Sequence, residues 1–150
     1  MKRMILMGLL LGLGLVSCRR APSLSPVEVR QKLTELAQAA IAYAQRQSAP
    51  PMFPSSTDWT PAGRACTLPG QEFARDLAVW QTSPWHELGF AVNTRSSYQF
   101  RMTRIGAGPT ERLAIEARGD RNCNNAFSHY TLMIDSKFHQ QAVQAEREDE

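Results

Sequence analysis

No run in the 150-residue chain is both apolar and long enough to cross a bilayer. The longest, Met4 to Val16, supplies thirteen apolar positions where a spanning helix needs about 20. Basic residues form no block either. Lys and Arg are scattered from Arg30 to Arg147, so the electrostatic footprint of a nucleic-acid binder is missing. The three histidines, His86, His129 and His139, have no metal-ligand spacing, and there is no CxxC pair, which argues against zinc. No Ser or Cys stands in a nucleophile elbow or another recognised catalytic setting. The expectation is a protein that is not an enzyme and has no catalytic residues.

What the chain does have begins at its first residues. Lys2 and Arg3 precede the short apolar run, small Ser17 follows it, and Cys18 comes next. A basic start, an apolar stretch and a small residue at the cut make a secretory signal rather than a span. The tetrapeptide Leu15-Val16-Ser17-Cys18 resembles the lipobox of bacterial lipoproteins. The resemblance implies diacylglycerol on the Cys18 thiol, cleavage before it and acylation of the new amino terminus. Residues 1–17 would then be discarded and residues 18–24 would be a tether. Anchoring of this kind is strong because each buried methylene contributes about 0.8 kcal/mol. Arg19 and Arg20 follow the apolar run, so they are not a twin-arginine signal. The absence of Asp after Cys18 implies, by the same resemblance, an outer-membrane lipoprotein facing the periplasm or the exterior.

Removal of the leader leaves 133 residues and takes the formal charge from +3 to +1, since Lys2 and Arg3 go with it. That is one nearly neutral domain. Three Trp, six Phe and three Tyr among others suffice for a core. With Cys18 lipidated, Cys66 and Cys123 are an even pair in an oxidising compartment, and a disulfide between them is expected.

The globular body reads as residues 25–136. Ser25-Pro26-Val27-Glu28 is a helix start: Ser25 as cap, Pro26 in the first turn, Glu28 closing a capping box, with Leu24 and Val29 placed for a hydrophobic staple. Val29, Leu33, Leu36, Ala40 and Tyr43 then recur at helical spacing. The pattern predicts an amphipathic helix to about Gln47. Five prolines across residues 48–71 exclude a regular helix or a central strand there, while Met52, Phe53 and Trp59 are expected to pack that loop down. Ser83-Pro84-Trp85 opens a helical turn that Gly89 ends in a left-handed conformation, with Trp85, Leu88 and Phe90 inward. Tyr98, Phe100 and Met102 alternate with Gln99, Arg101 and Thr103. Leu113, Ile115 and Ala117 alternate with Arg112, Glu116 and Arg118. Both read as strands with one wet face. Phe127 to Asp135 is a third strand, and turns at residues 106–109 and 119–122 make the three a meander. Residues 137–150 are expected to be a helical extension fraying into an acidic tail.

These pieces carry a second resemblance. TELAQAAIAY (34–43), the Pro-rich 52–63 segment before Cys66, WHELGF (85–90), SYQF (97–100) and ARGDRNCNNAFS (117–128) are similar, in this order, to segments of type IV pilin-like and pseudopilin-like proteins. The resemblance spans about residues 33–135. It implies an α+β fold, a long N-terminal amphipathic helix packed on a three- to four-stranded antiparallel sheet. The chain departs from filament-forming pilins in one respect: a lipobox replaces the continuous apolar stem. The expected function is therefore that of a lipid-anchored cell-envelope protein acting without catalysis through protein contacts, in a structural, secretion, pilus-associated or adhesion role. The alternatives are a ligand- or calcium-binding periplasmic module, or a true minor pseudopilin. Asp120, Asn122 and Asn124 occupy positions 1, 3 and 5 of a sequence resembling a calcium loop, but Asn125 and Thr131 stand where the turn Gly and the bidentate Glu belong and only one carboxylate is present, so a turn with side-chain capping is the expected reading and calcium the alternative. No other cofactor is expected, and no protein partner is named by the sequence.

Overall fold

The computed structural model describes residues 23–47, 52–75 and 77–147. The expected signal peptide, Cys18 and most of the expected tether lie outside the described residues.

Helix α1 spans Pro26–Arg46, 21 residues. Its start is set by the capping box: the Ser25 hydroxyl accepts from the Glu28 N–H, and Glu28 Oε2 accepts from the Ser25 N–H at 2.8 Å. These bonds satisfy two of the donors that a helix start leaves orphaned. The Ser25 hydroxyl also donates to Glu28 Oε2 at 2.6 Å, and this bond first, then that from the Ser25 N–H, holds the Glu28 carboxyl below its ordinary pKa. Leu24 and Val29 are both buried, as a hydrophobic staple requires.

The helix packs on a four-stranded antiparallel sheet in the order β1-β2-β3-β4, giving an α+β fold. The strands are β1 Tyr98–Ile105, β2 Arg112–Gly119, β3 Ser128–Ile134 and β4 Gln144–Glu146. Tyr98, Phe100 and Met102 of β1, Leu113, Ile115 and Ala117 of β2, and Tyr130, Leu132 and Ile134 of β3 turn to α1, whose Val29, Leu33, Leu36, Ala37, Ala40 and Ala44 are buried. Strand alternation then sends Gln99, Arg101, Glu116, Arg118 and His129 to the other face. The short helix α2, Trp85–Leu88, ends at Gly89 with φ 63°, the left-handed cap that glycine adopts without a Cβ penalty. Trp80, Trp85, Phe90 and Phe100 meet edge to face at the flank of α1, with centroids 5.3 to 6.4 Å apart.

The Pro-rich segment is an ordered strap along the open edge of β1. Thr60 and Phe100 exchange two backbone bonds of 2.9 and 2.7 Å. The Thr57 N–H reaches the Met102 carbonyl, while the Thr57 and Ser56 hydroxyls accept from the Met102 and Arg104 N–H groups. An edge strand that would otherwise offer unpaired donors and acceptors is thereby covered. Phe53 is buried and Trp59 half-buried, as expected, whereas Met52 is 47% exposed.

The expected helix after Lys137 is not found: the described part of this segment turns back and adds β4 to the sheet, pairing Gln144, Ala145 and Glu146 with Thr131, Tyr130 and His129. Asp135 builds the turn by accepting the N–H groups of Lys137 and His139 on Oδ1, and these bonds, that of His139 first, lower its pKa. Phe138 then stacks edge-on against Phe53 at 5.8 Å. Val143 and Ala145 alternate with exposed Gln144 and Glu146. This period of two is a strand signal that a Gln-rich composition conceals.

Candidate functional site

The face of the sheet turned away from α1 carries a cluster of cations and aromatic rings at the end nearest the disulfide. It starts from cross-strand neighbours. Gln99 pairs with Arg118, Arg101 with Glu116, and Arg118 with His129. Residues opposite each other have Cβ atoms about 4.5–5.5 Å apart, so these side chains share one surface. Arg101 grips Glu116 through two bonds of 2.9 Å, from Nε and Nη2.

Trp59 descends on this surface from the strap. The Arg101 and Arg118 guanidinium carbons both lie 4.3 Å from its ring centroid, well inside the about 6 Å within which a cation is attracted by an indole face. His129 meets the same ring edge-on at 5.6 Å. Phe127 supplies a second aromatic surface, 5.1 Å from Arg118 and 5.6 Å from Arg64.

Arg118 is held from beneath by a relay. Gln99 is 3% exposed. Its Nε2 donates to the carbonyls of Pro61 and Gly63 at 2.6 and 2.8 Å, and its Oε1 accepts from Arg118 Nε at 2.9 Å. Burial, followed by the Arg101 and Arg64 charges, pulls the Arg118 guanidinium below its ordinary pKa, yet an arginine stays protonated at neutral pH. Burial is also the first cause of the lowered His129 pKa, with Arg118 and Arg101 acting in the same sense and Glu116 and Glu146 against it.

The sequence-derived site residues adjoin this cluster. Cys66 and Cys123 form a disulfide with Cα atoms 5.5 Å apart, which fastens the 120–127 loop to the far end of the strap. Asp120 is 3% exposed. Its Oδ1 accepts from the Asn124 N–H and its Oδ2 from the Asn125 N–H, both at 3.1 Å, and Arg64 Nη2 stands 3.1 Å from Oδ2. Asn122 Oδ1 accepts from the Asn124 N–H, and Asn124 Oδ1 from that of Ala126. The four side-chain oxygens of these three residues are thus turned to backbone donors, and a guanidinium already sits against the one carboxylate. This donor set does not fit a calcium ion, which needs six to eight oxygens with net negative charge. Its work is to cap the loop. Among the described residues no group of three or more His, Cys, Asp or Glu is gathered as metal ligands. His86 is exposed on α2 and His139 on the turn before β4, well apart from His129 in the chain.

Sequence reasoning placed Gln99, Arg101, Glu116 and Arg118 on the wet face but did not single them out. Their signal was Arg at two strand positions of equal phase; the arrival of Trp59 had none. A separate cleft of about 540 Å³ lies among Met52, Phe53, Pro109 and Phe138. Its wall carries the Arg104 to Glu111 ion pair at 2.6 Å and Lys137. Among the described residues no helix is long and apolar enough to cross a membrane. No family model, curated protein or solved structure matches this chain.

Proposed function

We propose that this is a lipid-anchored cell-envelope protein, acylated at Cys18 and sorted to an outer membrane, whose pilin-like domain acts without catalysis through contacts with other proteins. The observation that carries the reading is where the folded body takes hold of the chain. Ser23 bridges to Arg95, and the Leu24 N–H donates to the Arg95 carbonyl at 3.1 Å. Ser23 follows Cys18 by five residues. Five extended residues reach at most roughly 18 Å, so acyl chains at Cys18 would hold the domain close against the bilayer. Confinement of that kind raises the effective concentration of any partner in the same membrane without a new contact.

The use made of α1 favours this reading over a filament subunit. Its apolar stripe is spent on its own sheet, and its other side presents Gln31, Glu35, Gln38 and Gln45. A helix buried on one side and polar on the other supplies no apolar stem for packing between copies. The order of helix, Pro-rich crossing segment and antiparallel meander supports the pilin-like assignment, and the Trp59 and arginine face supplies the kind of surface on which protein contacts concentrate.

Metabolic labelling with palmitate tests the anchor. Wild type should incorporate label and remain with the membrane fraction, and Cys18→Ala should do neither. A Cys18→Ala protein that is still labelled and still sorted would overturn the proposal.

A further inference from the structure

Arg118 is held in place through Nε, and among the described residues its two Nη nitrogens have no acceptor. Its guanidinium lies against Trp59 and Phe127, and Nε is fixed by Gln99, which the Pro61 and Gly63 carbonyls lock in turn. Among the described residues no oxygen bonds its two Nη nitrogens, and neither is a buried unsatisfied atom. Four N–H donors are therefore presented to solvent in a fixed plane.

The local charge has the same gap. Arg101 is neutralised by Glu116 and Arg64 by Asp120, while among the described residues the hydrogen-bond partner of Arg118 is the neutral Gln99 amide. Glu146, opposite His129 across β3 and β4, adds a third carboxylate to this face, so the positive charge left at Arg118 is local to that side chain and not a net excess of the face. Arginine side chains fixed in this way grip planar two-oxygen anions through parallel N–H bonds.

We propose that Arg118, on its platform of Trp59, Phe127 and Gln99, is a binding site for a single carboxylate, and that the outer sheet face docks an acidic segment of a partner protein. The single positive charge left local to Arg118 matches one carboxylate better than a doubly charged phosphate. The flanking rings suit the methylenes of a Glu side chain, and the exposed apolar side chain on this face, Ile105, lies at the far end of β1 from them. This deepens the protein-contact reading above; it does not depend on the lipid.

The test is a titration of the purified native protein, in neutral detergent, with a short acetylated oligoglutamate amide, followed by the Trp59 indole NMR signal and by calorimetry. Oligoglutamine, inorganic phosphate and phosphatidylglycerol vesicles serve as the other arms. Wild type should bind oligoglutamate in a salt-sensitive manner and ignore oligoglutamine. Arg118→Gln should weaken binding about ten- to a hundredfold, as expected for charged hydrogen bonds. Arg118→Lys should not restore it, because the charge returns without the fork. Unmoved wild-type signals, equal affinity of Arg118→Gln, or preference for phosphate or vesicles over oligoglutamate would each overturn the proposal. Wild-type signal mapping stands even where the variants unfold. Palmitate labelling reports the anchor and this titration reports the face, so the two can fail separately.

Discussion

Gly119 closes β2 opposite Tyr98, and its replacement by Ala should be among the most damaging single-methyl additions in the domain. A Cβ built there falls 2.5 Å from Tyr98 Cδ1, 2.6 Å from Cε1 and 2.9 Å from Cγ. Non-bonded carbons settle at about 3.5–4.0 Å, so the methyl overlaps the ring face by roughly 1 Å. Tyr98 has no room to yield. It is fully buried, with Tyr130 set edge-on at 6.0 Å on β3. Gly119 is not among the residues with positive φ, and the penalty is therefore steric, not conformational. Overpacking of a filled core costs about 1–3 kcal/mol and occasionally more. A ring face with no free volume behind it belongs at the upper end, about 3 kcal/mol, or a fall in Tm of about 10 °C for a domain of this size. Equilibrium urea unfolding of the oxidised protein measures it. A cycle with Tyr98→Ala sharpens the test. That change alone should cost about 3–5 kcal/mol, but it removes the obstruction, so Gly119→Ala should add under about 0.5 kcal/mol in its background. Strict additivity in the cycle, or a single Gly119→Ala variant as stable as wild type, would refute the steric account.

Three further outcomes are expected. Reduction of the Cys66 to Cys123 bond, which spans 57 residues, should lower stability by about 4 kcal/mol on the chain-entropy account; urea midpoints that coincide with and without reductant would contradict it. His129 has its pKa depressed in the folded state by burial. The unfolded chain therefore takes up the proton first, and stability present above pH about 6.5 should fall as the pH drops through that value toward the folded pKa. Unfolding at pH 7.5 and 5.5 should show a loss that shrinks in His129→Gln, and an unchanged pH dependence in that variant would remove His129 from the explanation. Ser25→Ala should cost about 1 kcal/mol through the lost helix cap and let the Glu28 pKa return toward its ordinary value, since the Ser25 side chain is the first cause of its lowering. An NMR titration in which Glu28 does not move would refute the coupling.

The elements that could be read from the sequence are those whose signal repeats locally. The capping box, the staple and the Val29-Leu33-Leu36-Ala40 spacing give α1 nearly to the residue, and the alternations around Phe100 and Ile115 give β1, β2 and their buried faces. The cysteine pair was legible by elimination. The C-terminal segment was misread because three residues of alternation, Val143 to Ala145, are too few to outweigh a polar, Gln-rich composition. Strand β4 exists because β3 offers an edge and Phe138 finds Phe53. Asp120 left two readings open in the sequence, a capped turn and a calcium loop. A loop of Asp and Asn looks the same in sequence whether its oxygens gather around an ion or cap their own backbone, and Arg64, 56 residues away, decides between them.

Periodicity and caps thus specify secondary structure here, and they do so within a turn or two of chain because hydrogen bonding and side-chain direction repeat at fixed intervals. The proposed leader and the lipidation proposed at Cys18 rest on the sequence alone. What tertiary structure decided is which wet-face residues act together. Trp59 reaches Arg101 and Arg118 only because the strap pairs with the edge of β1, and Arg118 presents its Nη atoms only because Gln99 is locked by Pro61 and Gly63. Those contacts join positions some twenty to sixty residues apart, across separations at which no local pattern constrains the chain and only the filling of a shared surface does.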